Sequence, residues 1–483
     1  MALKLSTTGY TVSFRLRKPP EEALCPILAL VSALAIRSIP ELLFPYPIGF
    51  DTPLYFVFGK NYASNGQFFP LLNFILGRLY AAGIDMVPTM KILPTMIYGL
   101  FGFGVYLFSK LRLKLSGWES LTISVMAVLS HAALRMSWDM HKLMLAITLI
   151  ILAASFEYLA KWYSRLAYGI LMLLALASHE LIAAIAILYL LVKTVTRFYP
   201  DLVKGRNRPN FIENLALLSI CAATFYTWYA LKGEPYRLYN WISGLWAAPP
   251  LSKALFEINN LKFFLLMYAT LLPFAIIGAK KESLLLTWLA FAIFGSFCTI
   301  FFPGFLLGGV LPWRYVLLAF FPLSVMAGLS IRKIVGRVSG RMLKLILVLA
   351  IIAACNLNSF PFLGMVTSPK FLEVPEVMPR NMVSSSIPIW DIEPTITLSR
   401  MIRDDDAIVL VPGNFVGWVQ YYTNAKVIGF TMPYKKYSLE DAVADFKNEK
   451  LYLIWWDSAK ATKLGFKQIT KVGNLRLFQY TAS

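Results

Sequence analysis

The stretch PYPIGFDTPLY, residues 45–55, follows the first long apolar segment of the chain. Its three prolines keep the backbone out of helix, and Gly49 permits a sharp bend beside the carboxylate of Asp51. An acidic side chain therefore stands in a turn-rich loop where a membrane-spanning helix is expected to emerge into water. Taken alone, Asp51 is interpreted as a solvated loop residue. The rest of the chain favours a functional role, because the other ionisable groups near the predicted membrane interior fall on the same face.

The composition excludes an ordinary soluble protein, since 58% of the residues are hydrophobic and only 15% are charged. Apolar runs of roughly 20 residues recur along the first three quarters of the chain, and such runs predict transmembrane helices. Backbone in lipid must be helical or form a closed barrel, and long continuous runs favour helices. The predicted fold class is a polytopic α-helical membrane protein of about 11 spans with a small α/β C-terminal extracytoplasmic domain. The spans are predicted at about 23–43, 92–109, 120–137, 143–160, two short helices within 166–192, and then 212–231, 262–279, 283–302, 313–331 and 342–358.

The apolar stretch 166–192 decides the topology. It is interrupted by Ser178, His179 and Glu180, and we interpret it as a hairpin with His179 and Glu180 at its outer tip. A single tilted helix with a buried polar pair is the alternative, and it would invert every later loop. The loop that follows is strongly basic, which favours the hairpin because cytoplasmic loops carry excess Lys and Arg. The prediction is a multi-pass protein of the cell membrane with a cytoplasmic N-terminus and an extracytoplasmic C-terminal domain.

The net charge of +20 does not indicate a nucleic-acid partner. The basic excess lies in short loops between predicted spans, and no basic patch is interleaved with aromatic residues. The four cysteines all lie in apolar runs without metal-ligand spacing, so no disulfide is predicted. The first apolar segment continues past Ala35 towards Leu43, which favours an uncleaved first span over a cleaved signal peptide.

Four segments are predicted from the changes in composition. Residues 1–22 form a basic cytoplasmic tail, 23–359 a transmembrane catalytic domain, 360–393 a proline-containing linker, and 394–483 the extracytoplasmic α/β domain. In the long outer loop at about 44–91, short interfacial helices are predicted at Thr52–Lys60 and Gln67–Ala82. The strands predicted for the last domain are Ala407–Val411, Lys426–Gly429, Leu451–Trp456 and Leu475–Tyr480, with helices at Pro394–Arg403, Asn414–Tyr422 and Ser438–Lys447.

Charged side chains near the membrane interior are costly, and they persist where they pair, face water or do chemistry. Transfer of a sugar from a lipid-linked phosphate needs a carboxylate to take the proton of the acceptor hydroxyl, and cations to hold the phosphate. Asp51 fits the base. Asp139, predicted in the next outer loop, fits a second carboxylate that orients the acceptor or shares a metal. The alternative for Asp139 is an ion pair with Arg135 or Lys142 at helical spacing.

The cations predicted to bind the donor phosphate are Arg135, Lys142 and Arg314. Arg314 stands at the outer start of a span, where its planar guanidinium could hold phosphate oxygens. A snorkelling interfacial arginine is the alternative. The predicted acceptor or cavity residues are His141, His179, Glu180 and Tyr55.

No cofactor follows from the sequence with certainty. A divalent metal stays open, through His131, His141 or His179 together with the acidic residues, because no two of these have a diagnostic ligand spacing. For His179 and Glu180, a polar hairpin tip without chemistry is the alternative to a role in the site.

The order of these short motifs resembles the GT-C superfamily of polyprenyl-phosphate-sugar-dependent membrane glycosyltransferases. The motifs are Gly49-Phe50-Asp51 after the first span, Asp139 after the third, His179 at a hairpin tip, and Arg314-Tyr315 at a late span. The chain looks like relatives of protein O-mannosyltransferases and lipid A aminoarabinose transferases. The resemblance implies a cavity on the outer side, a first-loop aspartate as base, and basic residues on the donor phosphate.

Two departures from these families leave the acceptor class open. Protein O-mannosyltransferases show Asp-Glu in the first loop, whereas Asp51 is followed by Thr52. Trp455-Trp456-Asp457 is similar to the acceptor-reading Trp-Trp-Asp-Tyr-Gly motif of oligosaccharyltransferases, but Ser458 and Ala459 replace Tyr-Gly. A packed strand is the preferred interpretation of this stretch.

The predicted function is hexosyl or pentosyl transfer from a polyprenyl-phosphate donor to an extracytoplasmic lipid, glycan or protein, within a lipid membrane. A transporter or flippase for a lipid-linked or anionic substrate is the alternative. The lack of an internal repeat and the large first outer loop count against it. A non-catalytic subunit of an assembly is a third hypothesis.

Overall fold

The structure is a computed structural model, and it describes most of the chain. The described residues are 2–7, 10–15, 21–49, 51–65, 68–157, 159, 161–198, 208–231, 252–297, 312–357, 386–430 and 438–481.

The chain begins with an antiparallel hairpin and continues into a large helical part. The hairpin consists of β1 (Ala2–Thr7) and β2 (Tyr10–Arg15). The helices are α1 (Glu21–Leu43), α2 (Thr52–Asn65), α3 (Leu71–Ala81), α4 (Met86–Leu107), α5 (Gly117–Val128), α6 (His131–Asp139), α7 (His141–Phe156), α8 (Trp162–Ser178), α9 (Glu180–Lys193), α10 (Arg208–Leu231), α11 (Ser252–Tyr268), α12 (Leu272–Gly278), α13 (Ser283–Phe297), α14 (Pro312–Leu318), α15 (Phe320–Val335) and α16 (Arg341–Cys355).

Three helical segments among the described residues are long and apolar enough to cross a membrane. They are Glu21–Leu43, Met86–Arg112 and Arg314–Val335, and the number rises to five if two bent helix pairs each count as one span. One pair is α5 with α6, bent by 61°, so the predicted span at 120–137 is broken. The other pair bends by 72° before α12, which starts with a proline in its first turn. The count of about 11 spans stays a prediction.

Local chemistry explains several helix boundaries. Asp85 begins α4 by accepting the N–H of Val87, and Ser116 begins α5 in a capping box with Glu119. The two short helices predicted in the first outer loop are present as α2 and α3. The break predicted within 166–192 is also present, since α8 and α9 are separated by His179 alone.

The C-terminal part is a five-stranded mixed sheet with short helices. Its strand order is β4-β3-β5-β7-β6, in which β3 pairs parallel with β4 and β5, and β7 pairs antiparallel with β5 and β6. The elements are α17 (Ile389–Met401), β3 (Ile408–Pro412), α18 (Val416–Tyr422), β4 (Lys426–Phe430), α19 (Leu439–Phe446), β5 (Leu451–Trp455), α20 (Ser458–Lys463), β6 (Phe466–Val472) and β7 (Leu475–Tyr480).

The four predicted strands are present, whereas the start of one helix was predicted wrongly and one strand was missed. Helix α17 begins at Ile389, inside the predicted linker, because Pro394 lies within the helix instead of opening it. Strand β6 was missed because its exposed, largely polar sequence lacks an apolar face, as suits an edge strand. The predicted linker lies outside the described residues as far as residue 385.

A buried ionic cluster joins several helices at the end of the helical part away from Asp51. Arg112 follows α4, and its guanidinium contacts the carboxylates of Glu157 and Glu282 and donates to the hydroxyl of Tyr189 at 2.9 Å. The ammonium of Lys193 lies 2.6 Å from a Glu157 carboxylate oxygen. The side chain of Arg112 is 1% exposed, so these charges are withdrawn from solvent and depend on one another.

Candidate active site

A cavity of about 240 Å³ collects most of the predicted site residues. It lies where the loop before α2, the junction of α6 and α7, the junction of α8 and α9, and the start of α14 meet. Its lining consists of Asp51, Leu54, Tyr55, Phe58, Pro70, Asp139, Met140, Lys142, Leu143, Ser178, His179, Glu180 and Arg314. Side chains as far apart in the sequence as Asp51 and Arg314 thus converge on one cavity. Two of the predicted site residues, Arg135 and His141, do not line it.

The loop that carries Asp51 is fixed against the end of α6. The backbone N–H of Asp51 donates to Oδ1 of Asp139 at 3.1 Å. Gly49 has a φ of +121° and lies directly against the carbonyl of Trp138. The Thr52 hydroxyl donates to the carbonyl of Ile48 at 2.8 Å and closes the turn. Phe50 lies outside the described residues, and Asp51 directly precedes α2.

Replacing Gly49 with alanine is expected to disrupt this loop. An added Cβ would lie 1.9 Å from the Trp138 carbonyl oxygen and 2.4 Å from Oγ1 of Thr52, and the positive φ would strain any side chain. Strain of this kind costs about 1–3 kcal/mol before the steric overlap is counted. We expect Gly49→Ala to lower the thermal stability and to abolish any activity that depends on Asp51. Gly83→Ala is the matched control, because its φ is also positive but no atom lies within 4 Å of the added Cβ. Equal behaviour of the two variants would contradict the steric argument.

The carboxyl group of Asp51 has a shifted pKa. Burial and, after it, the negative charge of Asp139 raise the pKa of Asp51 to about 6. The nearby charges of Arg314, Arg135 and Lys142 act in the opposite direction and keep the shift from being larger. At neutral pH the group is mostly ionised, and its pKa is close to the value that suits a general base.

Asp139 forms the helical ion pair that the sequence left open as an alternative. It lies at the last residue of α6 and not in a loop, and its carboxylate pairs with the guanidinium of Arg135 one turn earlier. Both side chains are about 5% exposed. The prediction that Arg135 contacts the donor phosphate is not supported by this geometry, because Arg135 lies behind Asp139. Its charge still reaches Asp51 through space.

Lys142 is held over two aromatic rings at the cavity wall. Its ammonium lies 5.8 Å from the ring centre of Tyr55 and 5.0 Å from that of Phe58. The hydroxyl of Tyr55 accepts the Lys142 backbone N–H at 3.4 Å. Burial, and then the charge of Asp51, raise the pKa of Tyr55, so its hydroxyl stays protonated. Leu54 and Phe58 also line the cavity but were not predicted as site residues. Their positions, three and seven residues after Asp51, place them on the side of α2 that continues from Asp51.

His141 supports the Asp51 loop from behind. Its Nε2 lies 3.2 Å from Oγ1 of Thr52, and its ring lies 4.9 Å from that of Tyr55. Because the Thr52 hydroxyl already donates to the Ile48 carbonyl, it can only accept from His141, which assigns the proton to Nε2. His141 does not line this cavity, since its side chain is 1% exposed and packs one layer deeper, and its predicted role as an acceptor or cavity residue stays a prediction.

His179 and Glu180 line the cavity opposite α2. His179 has extended backbone angles, and its Nδ1 accepts the N–H of Leu181 at 3.2 Å, so it serves as the N-cap of α9. A carboxylate oxygen of Glu180 lies 3.9 Å from the same nitrogen. The cap uses Nδ1 as an acceptor, which leaves Nε2 as the donor of the neutral ring. The His179 side chain thus has a structural role in addition to its place in the cavity wall.

Arg314 brings a positive charge to the cavity from a distant part of the chain. It belongs to the first turn of α14, and the following residue, Tyr315, is fully buried. His131, at the first residue of α6, does not line the cavity. Across the described ranges, no group of three or more His, Cys, Asp or Glu side chains is arranged to hold a metal ion.

Trp455, Trp456 and Asp457 lie between the end of β5 and the start of α20. Trp455 is buried in β5, and Asp457 caps α20 by accepting the N–H of Lys460. The preferred interpretation as a packed strand is confirmed for Trp455, whereas Trp456 is half exposed.

Comparisons with known proteins identify the fold. No protein-family model matches the chain, and no curated protein sequence matches it. Several solved structures are similar, and two of them are described here. One is the arabinofuranosyltransferase AftD from Mycobacteria, at 12% identity and a TM-score of 0.52, over 94% of this chain and 40% of that one. The other is the Archaeoglobus fulgidus oligosaccharyltransferase tethered with an acceptor peptide, at 13% identity and a TM-score of 0.50, over 89% of this chain and 69% of that one.

By their names these structures are an arabinofuranosyltransferase and an oligosaccharyltransferase, and the chain shares their fold. The chain spans less than half the length of AftD. At identities of 12% and 13%, the likeness shows the fold alone.

Proposed function

We propose that this protein is an integral membrane glycosyltransferase that moves a sugar from a polyprenyl-phosphate donor to an extracytoplasmic acceptor. The observation that carries the proposal is the single cavity that joins the carboxylate of Asp51 with the cations Lys142 and Arg314. These are the two kinds of group that the transfer requires, and they come from three separate parts of the chain.

In the proposed reaction the acceptor hydroxyl attacks the anomeric carbon of the donor sugar. The bond from that carbon to the phosphate oxygen breaks, and the polyprenyl phosphate leaves with the bonding electrons. Asp51 takes the hydroxyl proton, for which its pKa of about 6 is suited. Asp139 fixes the base through the hydrogen bond to the Asp51 backbone, so it acts as a positioning group in this scheme.

The departing phosphate gains negative charge, and the cavity supplies two cations for it. Arg314 offers a planar fork of donors, and Lys142 offers a point charge whose direction is set by the rings of Tyr55 and Phe58. Glu180 and His179, on the opposite wall, are placed to contact the acceptor or the sugar.

The arrangement in the membrane belongs to the proposal as well. We assign the cavity and residues 394–483 to the extracytoplasmic side, the N-terminus to the cytoplasm, and about 11 crossings to residues 23–359. The acceptor is a lipid, glycan or protein hydroxyl, and the transferred group is a pentose or a hexose. Of the solved structures that share the fold, one is named for transfer of arabinofuranose, a pentose, and the other is an oligosaccharyltransferase tethered with an acceptor peptide.

The direct test is a transfer assay with the purified full chain in lipid nanodiscs. Polyprenyl phosphates carrying labelled pentoses and hexoses are supplied with extracted lipids, glycans or peptides as acceptors. We expect label in one acceptor class together with free polyprenyl phosphate. Uptake or flipping of the donor in vesicles without sugar transfer would overturn the proposal in favour of a transporter.

The pH dependence of transfer is expected to report the titration of Asp51. Only the ionised carboxylate accepts a proton, so kcat/KM should rise with pH and level off above an apparent pKa near 6. Replacing Asp139 with asparagine keeps an oxygen for the Asp51 N–H and removes the repulsive charge. The rising part of the kcat/KM profile, here called the acidic limb, should therefore move to lower pH. Replacing Arg135 with glutamine removes an attractive charge and should move it to higher pH. Lys142 and Arg314, the other charges that face Asp51, are unchanged in both variants. If the acidic limb moved in the same direction in both variants, it could not be assigned to the titration of Asp51.

A further inference from the structure

The C-terminal α/β domain touches the loop that carries Asp51 through one short helix, α18. At Gly417 the two backbones meet, because an added Cβ would lie 2.8 Å from Cβ of Pro53 and 3.1 Å from the backbone nitrogen of Leu54. No side chain fits at residue 417 unless one partner moves. The first turn of α18 is therefore in direct contact with the first turn of α2, two residues after Asp51.

Trp418 contacts the chain on both sides of Asp51. Its ring centre lies 5.8 Å from that of Tyr46 and 5.3 Å from that of Phe56, with the rings steeply inclined in both pairs. Tyr46 precedes Asp51 by five residues, and Phe56 follows it by five. The indole is fully buried, and its N–H donates to Oγ of Ser386 at 3.2 Å, which fixes its orientation. One side chain of the α/β domain thus joins both arms of the Asp51 loop.

The contact continues along α2 in a parallel register. The ring of Tyr421, one turn after Gly417, lies 5.3 Å from that of Phe56. One turn further, the ammonium of Lys60 donates to the Thr423 carbonyl and to Oδ1 of Asn424, both at 3.0 Å. The two segments thus run in the same direction, with contacts from Pro53 and Gly417 at one end to Lys60 and Asn424 at the other. This line of contacts, here called the seam, extends over two helical turns.

Helix α2 therefore separates the cavity from the α/β domain. Tyr55 and Phe58 line the cavity, whereas Phe56 and Lys60 contact the domain. None of the cavity-lining residues within the described ranges lies beyond Arg314. The domain can influence the cavity through α2 without contributing a side chain to it.

We propose that Gly417 and Trp418 are positioning residues that hold the Asp51 loop in its reactive geometry, so that the α/β domain forms part of the catalytic unit. The inference rests on the proposed role of Asp51. Its physical basis is the steep dependence of proton transfer on geometry, since a displacement of about 1 Å can cost about a hundredfold in rate.

The first experiment compares variants at Trp418 in the transfer assay with the full chain. Trp418→Ala is expected to lower kcat about 10- to 100-fold, with a smaller change in KM for the donor. Trp418→Phe keeps a ring between Tyr46 and Phe56 and should restore most of the rate. Trp390→Ala is the control, because Trp390 is 63% exposed and should tolerate the change. Gly417→Ala tests the same seam by a different mechanism and should also lower kcat.

The pH profile distinguishes positioning from a general loss of structure. A loosened loop exposes Asp51 to water, which weakens the effect of burial, so the acidic limb of kcat/KM should move to lower pH in Trp418→Ala. The charges that face Asp51 are the same in this variant: Asp139, Arg135, Lys142 and Arg314. A variant that is only partly folded would lose rate at every pH without moving the limb, and that result would overturn the proposal.

A second measurement does not depend on sugar transfer. In a chain whose four native cysteines are replaced by alanine, Asp51→Cys introduces a thiol into the loop, and its alkylation rate is followed against pH. Adding Trp418→Ala should raise the rate about tenfold at neutral pH, the effect of lowering a thiol pKa by about one unit. Unchanged alkylation together with impaired transfer would overturn the positioning role. If Trp418→Ala speeds alkylation of the thiol while the wild-type chain, which keeps Asp51, transfers no sugar, the proposed function is refuted and the positioning role stays supported.

Discussion

Replacing Asp51 with asparagine is expected to lower the rate of sugar transfer by about three orders of magnitude, the contribution typical of a well-placed general base. The amide has nearly the shape of the carboxyl group and leaves the backbone hydrogen bond to Asp139 intact. It cannot take the proton of the acceptor hydroxyl. The KM for the donor should change little, because Arg314 and Lys142 are untouched, and steady-state kinetics with labelled donor would separate the two constants.

The stability of the same variant provides the control. The pKa of Asp51 is raised by folding, so its carboxyl group stabilises the folded state most at pH below the unfolded value of 3.8, and this contribution is lost as the pH rises through about 6. At pH 7.5 the wild-type protein therefore carries an unfavourable buried charge, which asparagine removes. We expect Asp51→Asn to melt at the same temperature as the wild type or higher. A clear drop in melting temperature would attribute the lost activity to misfolding. Transfer at the wild-type rate would refute the proposed mechanism.

The sequence predicted the members of the cavity better than their roles. Polar residues that follow apolar runs at every second crossing must share one side of a membrane, which brings Asp51, Glu180 and Arg314 to one face. The depth of each side chain does not follow from that rule. His141 and Arg135 lie one layer behind the cavity wall, because they pair with Thr52 and Asp139 and so lose their access to it. Such pairings depend on the distances between helices, which hydrophobic periodicity does not encode.

For the fold, too, the sequence predicted some features and missed others. Continuous apolar runs predicted where the helices lie, but not where they break. The bend of 61° between α5 and α6 turns the segment that ends in Asp139, and no proline or glycine marks it between Val128 and His131. Strand β6 carries mainly polar residues, and only its pairing with β7 defines it as a strand. In both cases a tertiary contact determines the local structure, and the local sequence does not.

Replacing Arg112 with methionine should destabilise the protein by about 3–5 kcal/mol, the cost of removing one partner from a buried ion pair. The side chain is 1% exposed and contacts both Glu157 and Glu282. Methionine fills a similar volume but leaves two carboxylates with less positive charge around them. Thermal unfolding in detergent should show the loss as a lower midpoint, while the geometry around Asp51 stays intact. The partners of Arg112 are 45 and 170 residues away, so no local pattern in the sequence predicts these ion pairs.

The source of that loss can be tested by removing one partner as well. Arg112→Met leaves the carboxylates of Glu157 and Glu282 with the ammonium of Lys193, which lies 2.6 Å from Glu157. If the cost arises from unpaired buried charge, then Arg112→Met combined with Glu282→Gln should be more stable than Arg112→Met alone, although it carries one more substitution. If the cost arises instead from lost packing of the guanidinium against Phe108 and Tyr189, the two substitutions should add and the combined variant should be the less stable. The ionic interpretation requires the first order of stabilities, because Glu282→Gln removes the charge that lost its partner and keeps the pair of Glu157 with Lys193.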